Sequence, residues 1–138
     1  MSELPTPVSE STAIEVVRQE GSARSWPAND TLAAGDIVYT TPSGLAKAII
    51  STQAWMCPGA VLYTAVSGSR AVTIKGKVRA RWDGSGTLNR GVVIQQGAHS
   101  GWFTVAVANI FASGTHLGLS WDNGGATTSG KLHVVELL

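Results

Sequence analysis

Hydrophobic and polar positions alternate almost without a break along residues 71–82, AVTIKGKVRARW. Val72, Ile74, Gly76, Val78, Ala80 and Trp82 fall on one side, and Thr73, Lys75, Lys77, Arg79 and Arg81 on the other. Successive side chains of a strand point to opposite faces, so this pattern predicts one strand with an apolar face and a cationic face. The WDGSG that follows has the Asp and Gly of a turn.

The rest of the chain reads as short strands joined by turns. Residues 14–19 (IEVVRQ) fit a strand, and residues 21–30 (GSARSWPAND) a loop. Residues 36–40 and 45–50 flank a turn marked by Pro42 and Gly44. LAKAIISTQA is rich in helix formers, but the turn before it and its short length favour a strand. Further strands are expected at residues 60–66, 91–96, 102–107, 116–121 and 132–137, with a longer loop at 109–115 and a Gly-rich turn at 122–130. About nine short strands at roughly ten-residue spacing predict an all-β fold, a single small antiparallel β-barrel or β-sandwich. Residues 1–12 carry Pro5 and Pro7 among Ser and Thr and read as extended chain. The expected organisation is an extended N-terminal arm over residues 1–30 and a β domain over residues 31–138. RWDGSG and SWDNGG echo each other: both place Trp-Asp before a glycine turn at a strand end. The expectation is that each Asp caps its own turn and Gly supplies the positive φ.

Composition adds bounds. A chain of 138 residues has room for one domain with one modest core. The net charge of +1 supplies no global attraction to nucleic acid or membrane. Its distribution is less even. Glu3, Glu10, Glu15 and Glu20 stand near the start against Arg18 alone, while Arg70, Lys75, Lys77, Arg79, Arg81 and Arg90 stand in the middle against Asp83. Cys57 is the one cysteine, so no intrachain disulfide forms. MSELPTPVSEST lacks the basic and apolar regions of a secretory signal, and no run approaches the roughly 18 apolar residues of a membrane span. A protein made in a cytoplasm is expected.

Candidate chemistry is sparse. His99, His116 and His133 have no second His or Cys at a metal-ligand spacing, and no nucleophile elbow frames Ser100. Cys57 has no basic neighbour to activate it. GSGTLNRG ends without the Lys-Ser or Lys-Thr of a phosphate loop, and in GGATTSGK, the closest lookalike, Leu132 follows the Lys in place of Ser or Thr. The expectation is a protein that is not an enzyme, with no cofactor, no metal and no small-molecule substrate. Two binding features remain. The cationic positions Lys75, Lys77, Arg79 and Arg81 are either a solvated face that deters edge-to-edge aggregation or a salt-sensitive docking face for an acidic surface. Nucleic acid is not expected there, because only Trp82 offers a nearby aromatic. Five tryptophans, Trp26, Trp55, Trp82, Trp102 and Trp121, are core or subunit-interface residues, or else a platform for sugars. Trp26 either folds back on its own domain or anchors the arm on a neighbouring subunit.

The blocks LAAGDIVYTTPSGLAKAI, GAVLYTAVSGSRAVTIKGKV and GTHLGLSWDNGGATTSGKLHVVELL taken together resemble the small capsid decoration (cement) proteins of tailed bacteriophages, over roughly residues 31–138. The resemblance implies a β-rich virion protein, a homotrimer on the capsid surface that binds the major capsid protein and bridges capsomers. It implies no active site. On this reading the arm, through Leu4, Pro5, Pro7, Val8, Ile14, Val16 and Trp26, contacts neighbouring subunits or capsid. Lys75, Lys77, Arg79 and Arg81 meet an acidic surface, with Glu10, Glu15 and Glu20 of an adjacent copy as one complement. The alternatives are a carbohydrate- or receptor-binding module of a fibre or tail tip, and another virion part such as a tail-tube or head-completion subunit.

Overall fold

The computed structural model of the chain describes residues 14, 16–19, 23–49, 52, 56–84, 86–106, 116–123 and 125–138. They form thirteen strands: β1 (Val16–Gln19), β2 (Arg24–Pro27), β3 (Ile37–Thr41), β4 (Gly44–Lys47), β5 (Gly59–Val61), β6 (Arg70–Ile74), β7 (Gly76–Arg81), β8 (Gly86–Leu88), β9 (Val93–Gln96), β10 (Phe103–Val105), β11 (Gly118–Ser120), β12 (Gly125–Thr127) and β13 (Leu132–Leu137). One sheet runs β1-β7-β13-β11-β9-β10, a second β2-β6-β5-β3-β4, and β8 with β12 makes a two-stranded ribbon. All strand pairs are antiparallel. The two larger sheets pack face to face, a sandwich and not a closed barrel. Both curl: single parallel bridges join Ala28 to Leu45 across the edges of the five-stranded sheet, and Trp82, just after the interior strand β7, to Phe103 on the edge strand β10 of the other.

The strand expected over residues 71–82 is two strands in two sheets. β6 lies between β2 and β5, and after Lys75 the chain continues as β7 between β1 and β13. The alternation breaks at the same place. Along β7 it holds, with Gly76, Val78 and Ala80 buried and Lys77, Arg79 and Arg81 half-buried. Along β6 the phase reverses: Ala71 and Thr73 are buried and Val72 is half-buried. Thr73 and Ile74 are buried in succession because the chain turns from one sheet into the other between them and Gly76. Gly76 takes a φ of 105°, a conformation that costs a residue with a Cβ and permits the change of sheet.

The segment read as a loop at residues 21–30 holds β2, paired with β6 from Arg24↔Thr73 to Pro27↔Arg70. Val16 pairs with Val78 on β7, and Ile14 is buried beside it. Ile14, Val16 and Trp26, placed by sequence in the arm, therefore belong to the packed domain, whereas Leu4, Pro5, Pro7 and Val8 lie outside the described residues. Trp26 folds back on its own domain: its indole N–H donates to Thr73 Oγ1 at 2.9 Å. It covers a cluster of Ala28, Leu32, Val38, Leu45, Val61, Ala65 and Ala71 inside the curl of the five-stranded sheet. The larger core lies between the sheets and includes Ile37, Ile74, Val78, Trp82, Ile94, Phe103 and Val135. Burying each such side chain stabilises the fold by about 1.5–3 kcal/mol.

Candidate functional site

The outer face of the six-stranded sheet collects the side chains that the core does not take. β7 contributes Lys77 and Arg79, and register places Glu136 of β13 opposite Lys77 and Leu119 of β11 opposite Glu136. β11 is inverted relative to its hydrophobic pattern. In HLGLSW the apolar residues Leu119 and Trp121 share a parity, yet Gly118 and Ser120 face inward and are buried. The cause is close approach to β13. A Cβ on Gly118 would collide with the Glu136 carbonyl, so only glycine fits there. Ser120, 2% exposed, satisfies its hydroxyl by donating to the Asp122 carbonyl at 3.0 Å.

Leu119 and Trp121 are thereby left outward, half-buried, and with Ser120, Gly91 and Arg90 they line an apolar groove of about 260 Å³. Charge frames it. The Lys77 ammonium sits 3.7 Å from the Trp121 ring centroid, and the Arg90 guanidinium 5.0 Å from it. Each such contact contributes about 0.5–2 kcal/mol, depending on how far water is excluded. The Trp121 indole N–H donates to Glu136 Oε1 at 2.6 Å, which fixes the ring. The result is a preformed apolar surface with cations held at its rim.

The four cations expected to act together are divided by the fold. Lys75 donates to the Leu138 carbonyl at 3.2 Å. Arg81 donates to the carbonyls of Gly130 at 2.8 Å and Ala34 at 3.2 Å, tying three segments of the domain together. Lys77 is spent on Trp121, and Arg79 is half-buried beyond it. Sequence reasoning missed Arg90, Leu119 and Trp121 as a group. The one available signal was the Gly-x-Ser alternation within HLGLSW, which puts only Gly118 and Ser120 on the inward parity of β11 when Leu119 and Trp121 face out.

The titratable groups sit in structural settings. His99 stacks on Trp102 with ring centroids 3.6 Å apart. His133 Nδ1 lies 3.1 Å from Asp122 Oδ2, which also accepts the Val134 backbone N–H at 3.1 Å. Burial pushes the Cys57 thiol up to about 11, leaving it protonated at neutral pH despite the Gln96 amide directed at its sulfur. Burial likewise raises the Asp36 carboxyl, against the Ala33 N–H that it accepts and the charges of Lys47 and Arg81. Among the described residues no three His, Cys, Asp or Glu side chains are grouped as metal ligands. Of the tryptophans, Trp82 is 3% exposed, and Trp26, Trp102 and Trp121 are half-buried with ring partners or indole bonds; Trp55 lies outside the described residues.

No protein-family model and no curated protein sequence matches the chain.

Proposed function

We propose that the chain is a non-catalytic structural protein of a virion, which binds the outer surface of a phage capsid as a homotrimer and bridges capsomers through contacts with the major capsid protein. The observation that carries this reading is the outer face of the six-stranded sheet. It presents an apolar centre with cations at its rim, where β11 and the chain just after it meet the turn at Arg90 and Gly91. The three sequence blocks that resemble capsid decoration proteins support it independently. The work of such a protein is mechanical: binding only the assembled shell stabilises that state by mass action against the pressure of packaged DNA.

The test uses mature heads of the phage that encodes the chain, prepared with and without it, and follows release of DNA on heating. Heads carrying the protein are expected to hold their DNA to a higher temperature. Heads that neither bind the purified protein nor change their release temperature overturn the proposal.

A further inference from the structure

We infer that the groove beside Trp121 seats one apolar side chain of a partner segment, while Arg90 holds a carboxylate next to that side chain in the partner's sequence. The inference rests on the proposed function for the identity of the partner, the major capsid protein; the chemistry of the occupant comes from the groove. Volume is the first argument. At about 260 Å³ the groove is smaller than the clefts of about 300–1,000 Å³ that enclose drug-sized ligands, and it lies open along exposed Arg90 and Gly91. It has room for a side chain and an open flank for the main chain that carries it. Gly91 keeps that flank clear, since a Cβ placed on it would meet no atom within 4 Å. Polarity is the second. The neutral polar groups of the lining side chains already donate elsewhere, the Trp121 indole N–H to Glu136 Oε1 and the Ser120 hydroxyl to the Asp122 carbonyl. An apolar group therefore gains by entering, and a polar one gives up water without finding a donor there. Charge is the third. Register sets Glu136 opposite Lys77, so a carboxylate of this chain already answers the cation on β7. Arg90 has no such counterpart: among the described residues its guanidinium meets the Trp121 ring and no carboxylate. It stands at the groove mouth as an exposed fork of donors that matches a carboxylate. Such a contact differs from a cationic strand face laid on an acidic surface, because its affinity resides in the apolar anchor and the charge selects which anchors enter.

Two measurements test it. In the first, the purified chain is bound to mature heads prepared without it, at low salt and in ~1 M salt, where charges are screened beyond ~3 Å. Leu119→Ser, at an outward position of β11, is expected to weaken binding about tenfold at both, and Arg90→Glu, at an exposed turn position, about tenfold at low salt only. Thermal midpoints verify that each variant folds. Heads that bind the chain but are indifferent to Leu119→Ser overturn the inference and leave the capsid reading standing. In the second, the peptide acetyl-Glu-Leu-Glu-amide is titrated to millimolar concentration into the full chain and followed through the Trp121 indole N–H resonance, assigned by its loss in Trp121→Phe. That resonance is expected to move with this peptide, and not with versions that carry Gly in place of Leu or Lys in place of both Glu. A resonance that stays in place, or that moves equally with all three peptides, overturns the inference. Heads that bind nothing while the first peptide alone moves the resonance overturn the capsid reading and support the chemistry assigned to the groove.

Discussion

The two Trp-Asp corners start from the same dipeptide and meet different ends. Trp82 closes β7 on the inward parity of Val78 and Ala80, is buried, and packs on Phe103 at 5.5 Å between ring centroids. Trp121 follows β11 on the outward parity of Leu119 and becomes the floor of a surface groove under two cations. The aspartates behave alike. Asp83 Oδ2 accepts the His99 backbone N–H at 3.0 Å, and Asp122 Oδ2 accepts that of Val134. Each carboxylate thus fastens its corner to another segment, while the turns they were expected to cap include Ser85 and Gly124, outside the described residues. The glycine-rich turns after the two corners contain β8 and β12, which pair with each other from Gly86↔Thr127 to Leu88↔Gly125. The dipeptide therefore specifies a corner, and strand parity decides whether its indole is core or surface.

The largest expected effect separates the indoles. Trp82→Ala should lower unfolding free energy by about 3–5 kcal/mol, as for other buried aromatic truncations, and Trp121→Ala by about 1 kcal/mol. Urea midpoints at constant slope measure both, and equal losses would break the comparison. The cations should divide the same way. Arg81 supports the buried corner through the Gly130 carbonyl, and Gly130 N–H in turn donates to the Trp82 carbonyl at 2.6 Å. Arg81→Ala should cost about 1.5–3 kcal/mol, against about 0.5–1 kcal/mol for Lys77→Ala, whose contact is a cation over a half-exposed ring.

The smallest effect is a pH dependence near the buried corner. Asp36, 2% exposed, lies in the fields of Arg81 and His99, and its carboxyl is raised above 3.8 chiefly by burial. A raised folded value means the fold binds this proton more tightly than the unfolded chain does. Its contribution is full below 3.8 and is lost as pH rises through the folded value. Asp36→Asn should flatten that decline, visible as a smaller change in thermal midpoint between mildly acidic and neutral buffer. An unchanged slope would place the titration elsewhere.

Much of the fold was legible because turns and parity are local. The β13 strand falls on residues 132–137, and the Pro42-Gly44 turn joins β3 to β4 where the sequence puts it. Residues 71–82 misled because alternation records only that neighbours face opposite ways. It does not record which sheet they face, and Val72 keeps an apolar side chain while half-buried. β2 was hidden because RSWP carries one apolar ring, and pairing with β6 supplies the rest of its stability. The groove was hidden for a related reason: the inversion of β11 comes from the Glu136 carbonyl beside Gly118, a contact between residues distant in sequence. The fold divides the four-cation face, since Lys77 reaches the groove while Lys75 and Arg81 donate to backbone carbonyls, contacts that alternation cannot foretell.

The passage of one segment through both sheets bears on how the molecule fails under load. β6 holds an interior place in one sheet, between β2 and β5, and β7 an interior place in the other, between β1 and β13. Between them runs only Lys75, so the layers are joined by peptide bonds at their middles and not at an edge. A pull that separates the layers is carried along covalent backbone and arrives as shear on two flanking strands at each end, where many hydrogen bonds resist together. For a part proposed to hold a shell closed against internal pressure, that geometry makes rupture an all-or-none event at high force, where two layers merely stacked on each other would slide.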